Sequence, residues 1–442
     1  MASDLLHIKD GYFFEVPKGV WPSNRKSAKD FPDWFVRNDP DFQSHEADHL
    51  IQELVEIGVD PVNVAGLKQR WESWKASSDT NYGYSLDDYL ELELRQTEAK
   101  AKTWAKEHKS KAADPLKAYI AETSGDGLDW FYNLKRDPES NRKWQDLRDL
   151  VNTHEYVNEY KDTHGEKWDQ HKLAQYNDAM SGKIMIPQIA GGTLRNAYQP
   201  ESGFCISRYM VIEVIVAVLL LAIFSWLARR LSTGENPKGK AWNMVESSVM
   251  WVRNEIVVPA MGEHDADRFM PFFYSLFFFI LGCNLMGMVP YIGAPTAAFA
   301  TTFALAFLVF IFGMFLGIKQ FGVVGYLKNI SPSLGLPWYL AIVIVPMLWI
   351  IEAASLLIKH LVLAARLLLN MSAGHLVMLG ILGIGISVEA ASMNTFAWSG
   401  VAAISVIGTT LLSFLELFVA GLQAFVFTFL AAFLIGSSIH HH

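Results

Sequence analysis

Cysteine is almost absent. Two residues in a chain of 442, Cys205 just before an apolar run and Cys283 inside one, cannot staple a small core or build a thiolate metal cluster. Both are expected to be inert thiols buried in a membrane. The head of the chain, MASDLLHIKDGYFFEVPKGVW, lacks a basic segment followed by an apolar core, so it does not read as a signal peptide. It also lacks the Arg-rich, acid-poor character of a transit peptide, which counts against a nuclear-encoded organelle protein. His45, His49, His108, His154, His164 and His171 show neither an H-E-x-x-H nor a Cys/His ligand spacing. No metal and no cofactor are therefore expected. Positive charge is the scarcer sign: 37 Lys and Arg face 45 Asp and Glu, a net charge of -8. Residues 201–442 hold 11 of each sign, so the whole deficit lies in the first 200. An acidic N-terminal part argues against nucleic acid as its partner.

What the second half has in abundance is apolar runs. A membrane-crossing helix needs about 20 such residues. Residues 209–228 meet that length and are followed by Arg229, Arg230, Lys238 and Lys240. Residues 269–289 and 296–318 form a hairpin, joined by PYIGAP with its two prolines. The next loop, KQFGVVGYLKNISPSLGLP, carries Lys319 and Lys328. Two far longer runs, about 338–386 and 396–436, exceed one upright crossing. Each is either two spans with a tight turn or one strongly tilted helix, about 60 Å long for 40 residues. No turn signal splits 396–436, which favours tilted helices. Residues 242–260 are shorter and interrupted by Glu246, Arg253 and Glu255, and read as an interfacial amphipathic helix. The basic loops belong inside, which places residues 1–205 outside and the C-terminus inside.

The expected fold class is all-α. It comprises a polytopic membrane domain over 206–442 and a mostly helical soluble region over 1–205. The membrane domain has about five membrane helices, two of them long and tilted, plus the interfacial helix. Eight tryptophans between residues 21 and 180 read as core rather than as a ligand platform. Residues 86–113 read as one helix that begins with Asp87 and Asp88 and ends in Lys106, Lys109 and Lys111, the order that suits a helix dipole.

Charge inside the apolar runs carries the chemistry. Arg366 is a fixed cation, because a guanidinium stays protonated at physiological pH. At a bilayer centre it costs about 2.5–3.5 kcal/mol on insertion scales, so it marks a functional position. On a 3.6-residue helix, Lys359 falls about 20° from Arg366, Glu352 and Asn370 about 40°, and Ser355 about -20°. His375 falls about 180° away, toward a different neighbour. In the last run, Gln423, Thr409 and Ser405 fall within about 20° of Glu416, and Ser413 about 60° away. A lone serine there often only bonds its own backbone, and Lys359 has a long stem that snorkels readily. Glu416 and Arg366 are too costly to be idle, and such seams mark proton relays or ion paths.

The stretch 352–376, EAASLLIKHLVLAARLLLNMSAGHL, resembles subunit a of the rotary F-type ATP synthases. GLQAFVFTFL at 421–430, with Glu416 seven residues before Gln423, and NLMGMVP at 284–290 are similar to that family's other membrane segments. The resemblance covers about 205–436. HIKDGYFFEVP near the head also looks like a family N-terminus, which makes about 21–180 an insertion of unassigned role.

The resemblance implies a proton-translocating stator subunit, not an enzyme by itself, within a proton-transporting two-sector ATPase. Its partners would be the ring of c subunits, b-type peripheral-stalk subunits, other synthase subunits and membrane lipid. Arg366 would face a ring carboxylate and separate two half-channels, with Asn370 and Gln423 flanking it. His375 and Glu416 would line the outer half-channel, in the reverse order to many bacterial members. Glu352, Lys359 and Ser355 would lie toward the inner one, and Glu389 would gather protons outside. The expected location is a bacterial inner membrane with a periplasmic N-terminal region, the alternative being the mitochondrial inner membrane. A competing function is a secondary ion-coupled transporter with an outer accessory domain, although no repeat links 205–335 to 336–436. A scaffold role is the third reading.

Overall fold

The computed structural model describes residues 10–78, 81, 83–108, 114–123, 129–165, 168–189, 191–232, 239–289, 292–329, 338–386 and 394–439. The chain divides into two compact units. One is Val16–Ile184 with Gln188–Cys205, and the other is Ile206–His442 with Met1–Glu15 and Met185–Pro187.

The first unit is built mainly of helices, the longest being Leu86–Glu107, Pro40–Glu56 and Pro138–Val151. Their starts are written in the sequence. Asp137 accepts from the Ser140 amide ahead of Pro138, and Thr153 accepts from the Tyr156 amide ahead of His154–His164. Such caps contribute about 1 kcal/mol each by satisfying otherwise orphaned amides. Leu50, Leu54, Trp71, Leu90, Phe131 and Trp144 form the buried core, so several tryptophans are core residues. Arg148 ties the unit together, bonding Asp87 at 2.8 Å and Asp88 at 3.2 Å, while Arg195 reaches Asp88 at 2.7 Å. An antiparallel hairpin, Thr193–Asn196 with Gln199–Ser202, lies near the unit's end.

Among the described residues the second unit contains six principal helices. They are α1 (Arg208–Leu231), α2 (Lys240–Trp251), α3 (Glu263–Gly287), α4 (Phe299–Asn329), α5 (Trp338–Ile386) and α6 (Thr395–Ile439). All but α2 are long and apolar enough to cross a membrane. In hydrocarbon every backbone group must bond internally, which forces these apolar runs into helices. Ser207 caps α1 through the Met210 amide, and Arg229 and Arg230 close its last turn, where cations suit the helix dipole.

The two longest runs are continuous helices of 49 and 45 residues. At 1.5 Å per residue they are about 74 and 68 Å long, against a hydrocarbon core of about 30 Å. Helices of that length must be strongly inclined to stay in the bilayer. A turn dividing either one is absent, so the two-span alternative falls away.

Residues 240–261 form one helical run with a π-helical turn at Val252–Val257. Its second half is packed inward: Val252, Ile256, Val257 and Met261 join Phe273, Ile280, Leu367 and Phe427 in the core. In α4, Gly322 adopts φ +72°, a left-handed geometry that glycine accepts without strain, and breaks the helix there. Cys283 is fully buried in α3, whereas Cys205 is only partly buried. It lies three residues before α1 begins, with Sγ 3.3 Å from the Thr193 carbonyl oxygen.

Candidate functional site within the membrane helices

α5 carries two different faces. Along one, Lys359, Arg366 and Asn370 are exposed, and Glu352 and Ser355 are half-buried. The exposed apolar side chains of Ile358, Leu361, Val362 and Leu369 lie among them in the sequence. A guanidinium left against lipid there would carry the full intramembrane penalty.

The opposite face turns His375 inward. His375 Nδ1 stands 3.2 Å from Glu416 Oε1 on α6, and both residues are buried. α5 and α6 pack closely, and Gly374 provides the room: a Cβ at that position would come within 2.9 Å of Glu416 Oε1. Beside the pair lies a cavity of about 360 Å³, lined by His375, Met378, Thr409, Ser413, Gly287 and Gly293 among others. The cavity thus joins the polar side of α6 to the end of α3. An acid and an imidazole at this distance can pass a proton between them.

The hydroxyls near Glu416 divide by partner. Ser405 Oγ donates across to the Ile381 carbonyl of α5 at 2.9 Å. The expectation that a lone serine bonds its own backbone fails here because α5 passes close enough to offer a carbonyl. Thr409 and Ser413 do bond their own helix, through the carbonyls of Ser405 and Thr409, and Ser413 Oγ also reaches Met378 Sδ of α5 at 3.4 Å. Gln423 is buried, whereas Arg366 and Asn370 are exposed. Glu389 lies outside the described residues.

Three polar features were not singled out from sequence. Asn284 Nδ2 donates to the Ala420 carbonyl at 3.0 Å, and its Oδ1 accepts from Thr296 Oγ1 at 2.7 Å. Both side chains are fully buried, one helical turn along α6 from Glu416. The signal was an asparagine inside the apolar run NLMGMVP. Glu213 on α1 accepts a 2.7 Å hydrogen bond from Thr301 on α4. A lone acid in VIEVIV was the available clue. His360 is buried, bonds the Leu356 carbonyl at 2.8 Å through Nδ1 and meets the Phe310 ring edge-on. It falls about 120° around the helix from Arg366 and behaves as a packing residue. Among the described residues no His, Cys, Asp and Glu cluster has the arrangement to hold a metal.

Residues 210–436 match the family described as ATP synthase A chain. The chain is 36% identical over 241 residues to ATP synthase subunit a of Myxococcus xanthus (strain DK1622), covering 54% of this chain and 75% of that protein. It is 31% identical over 329 residues to ATP synthase subunit a of Anaeromyxobacter sp. (strain Fw109-5), covering 73% and 68% respectively. ATP synthase subunit a 2 of Chlorobaculum tepidum is 35% identical over 245 residues, covering 54% of this chain and 65% of the relative.

Proposed function

The chain belongs to the ATP synthase subunit a family, and from that premise we propose that it forms two offset proton half-channels against a ring of c subunits. Membership makes it a proton-translocating membrane subunit whose partners are other ATP synthase subunits. It makes the protein a multi-pass component of a bacterial plasma membrane and supplies no nucleotide chemistry of its own.

One observation carries the finer reading. Arg366 and His375 sit on opposite sides of the same helix, the first exposed and the second buried against Glu416 beside a cavity. The buried side suits an aqueous path. Protons would enter through the cavity, pass the His375–Glu416 pair, and reach a carboxylate on the rotating ring. The exposed side suits the ring itself. Glu352, Ser355 and Lys359, on the first half of α5, would serve the exit path, with Glu389 at the entrance. Asn370 would flank the contact with the ring, and Gln423 would support it from within. Residues 1–205 would lie in the periplasm and b-type subunits would hold the assembly against rotation. On this reading residues 206–442 act as the proton-conducting domain, and about 21–180 form an inserted domain.

Arg366 would do its work by not carrying protons. A continuous pore would dissipate the gradient. A guanidinium favours the ionised form of a carboxylate that approaches it, so a protonated ring carboxyl must discharge before passing. The ionised group is then tolerated in a low-dielectric interface only beside that cation. Lysine is a poorer barrier, because desolvation readily neutralises an ammonium. The test is ATP synthesis driven by an imposed proton gradient in vesicles holding the intact synthase. Arg366→Ala is expected to abolish it, and Arg366→Lys to come close. Near-normal synthesis by Arg366→Ala would overturn the half-channel reading.

A further inference from the structure

Two cavities on the α3–α4 side of the membrane unit have no place in the proton path. The first, about 200 Å³, lies where the first turns of α3 meet the part of α4 just before Gly322. Asp265, Arg268, Lys319 and Gln320 line it, over Phe269 and Leu316. The second, about 590 Å³, runs between α1, α3 and α4, and its walls are apolar, including Leu220, Phe224, Phe272, Phe279 and Leu308. Aromatic rings lie between the two. Phe272 stacks on Phe312 with centroids 4.1 Å apart, and Phe269 meets the same ring edge-on at 6.2 Å.

The lengths fit one kind of ligand. From Arg268 to Phe279, and from Lys319 back to Leu308, the helices each advance about 16 Å. That is about half of the 30 Å hydrocarbon core, the depth of one leaflet. A polar, cationic pocket at the helix ends and an apolar groove lie along the same α3–α4 seam and together span that depth. We propose that this pair of cavities binds one anionic phospholipid. Its phosphate would sit between Arg268 and Lys319, and an acyl chain would lie along the groove.

Charge argues for an anion rather than a zwitterion. Among the described residues, two cations face one carboxylate, Asp265, inside the polar cavity, which Ile439 at the end of α6 also lines. The nearby Asp267 is engaged by Arg253 at 2.7 Å, so it does not enter that balance. The guanidinium of Arg268 lies 5.4 Å from the Phe269 ring centroid, at the junction of polar and apolar walls. A choline headgroup would set its cation against these two. A partner's apolar helix would fill the groove but offer nothing to the polar pocket. Under the orientation proposed above, the lipid belongs to the inner leaflet.

The test uses the full chain in detergent, titrated with phosphatidylglycerol, phosphatidylcholine or inorganic phosphate. The thermal midpoint is the readout. Phosphatidylglycerol should raise it by about 2–4 °C, as expected for a ligand that binds only the folded state. Phosphatidylcholine and inorganic phosphate should leave it nearly unchanged. Replacing both Arg268→Gln and Lys319→Gln should remove most of the shift without moving the lipid-free midpoint, since both side chains are exposed. Leu308→Trp, which fills the groove from an exposed position, should weaken the response independently. An unchanged shift in the double variant, or an equal shift with phosphatidylcholine, would overturn the proposal. Inorganic phosphate reproducing the full shift would also overturn it, by showing a free-anion site. An undiminished response in Leu308→Trp would remove the groove from it.

Discussion

Gly374 and Glu416 are shaped to each other. A Cβ on Gly374 would stand 2.9 Å from Glu416 Oε1, so the absence of a side chain lets the carboxylate rest against α5 beside His375. The contact atom is the far end of a flexible side chain, so Gly374→Ala should fold and assemble. It should nonetheless push the carboxylate out of its position. Proton flux through the membrane sector of reconstituted synthase is expected to fall severalfold, with subunit assembly unchanged. An unchanged flux would mean that the placement of Glu416 against α5 is not required.

The His375–Glu416 pair permits a second test. Nδ1 and Oε1 are 3.2 Å apart, and a cavity reaches His375 from the end of α3. Losing either group, in His375→Ala or Glu416→Ala, should slow proton uptake by about 10²-fold, the lower end of what a positioned acid or base contributes. The exchange His375→Glu with Glu416→His keeps one acid and one imidazole facing each other. It should recover part of the loss in the same flux assay. If the exchanged protein is as slow as the worse single variant, the two groups do not act as a pair.

A third prediction concerns structure rather than transport. Asn284 bridges Thr296 and the Ala420 carbonyl, and both side chains are fully buried. In a soluble core, leaving such partners unsatisfied costs about 1–3 kcal/mol. Within membranes, cross-helix hydrogen bonds average about 0.6 kcal/mol, because an unfolded chain in lipid also finds partners. The membrane value should govern here. A double-mutant cycle of Asn284→Leu and Thr296→Val, read by denaturant unfolding in detergent, should give a coupling of about 0.6–1.7 kcal/mol. A coupling near zero would show that the bond holds nothing together.

The membrane architecture was legible because hydrocarbon leaves the backbone few choices. Length alone separated the two long helices from the shorter spans, and helical angles alone placed Arg366 and His375 on opposite faces. What was not legible depended on distant chain segments. Asn284 looks like any polar residue in a helix until Ala420, 136 positions away, proves to be its partner. Glu213 needed Thr301 in the same way. Gln423 shares a helical face with Glu416 by angle and is buried as Glu416 is, but its separation from exposed Asn370, with which the sequence pairs it, depends on how neighbouring helices pack. The first unit was readable as helical but not as a network, because Arg148 draws together side chains far apart in sequence.

That same unit carries a pH-dependent contact. His45 on Pro40–Glu56 faces His164 on His154–His164, with ring centroids 4.7 Å apart, and Tyr160 stacks on His164 at 5.0 Å. His49 and Tyr156 stand beside them, with ring centroids 5.6 Å apart. Burial pushes the His45 imidazole below its usual 6.5, and the neighbouring His164 and His49 push in the same direction. Asp48 and Glu159 pull the other way, more weakly. A histidine whose folded pKa is depressed binds more protons when unfolded. Its packing contribution is therefore present above about pH 6.5 and is lost as pH falls toward the folded value. Glu91 does not share this behaviour. Burial alone would raise its carboxyl, but hydrogen bonds from Trp144 and Lys135 and the charges of Lys135 and Arg148 hold it below its usual value. It stays ionised across the same window. Hydrogen exchange in the full chain, corrected for the intrinsic pH dependence of exchange, should show residues 40–56 and 154–164 opening severalfold more at pH 5.5 than at pH 7.5. His45→Phe keeps a ring in the stack and removes the titrating group. It should flatten that difference while leaving exchange at pH 7.5 unchanged. An equal pH response in His45→Phe would assign the opening to other groups.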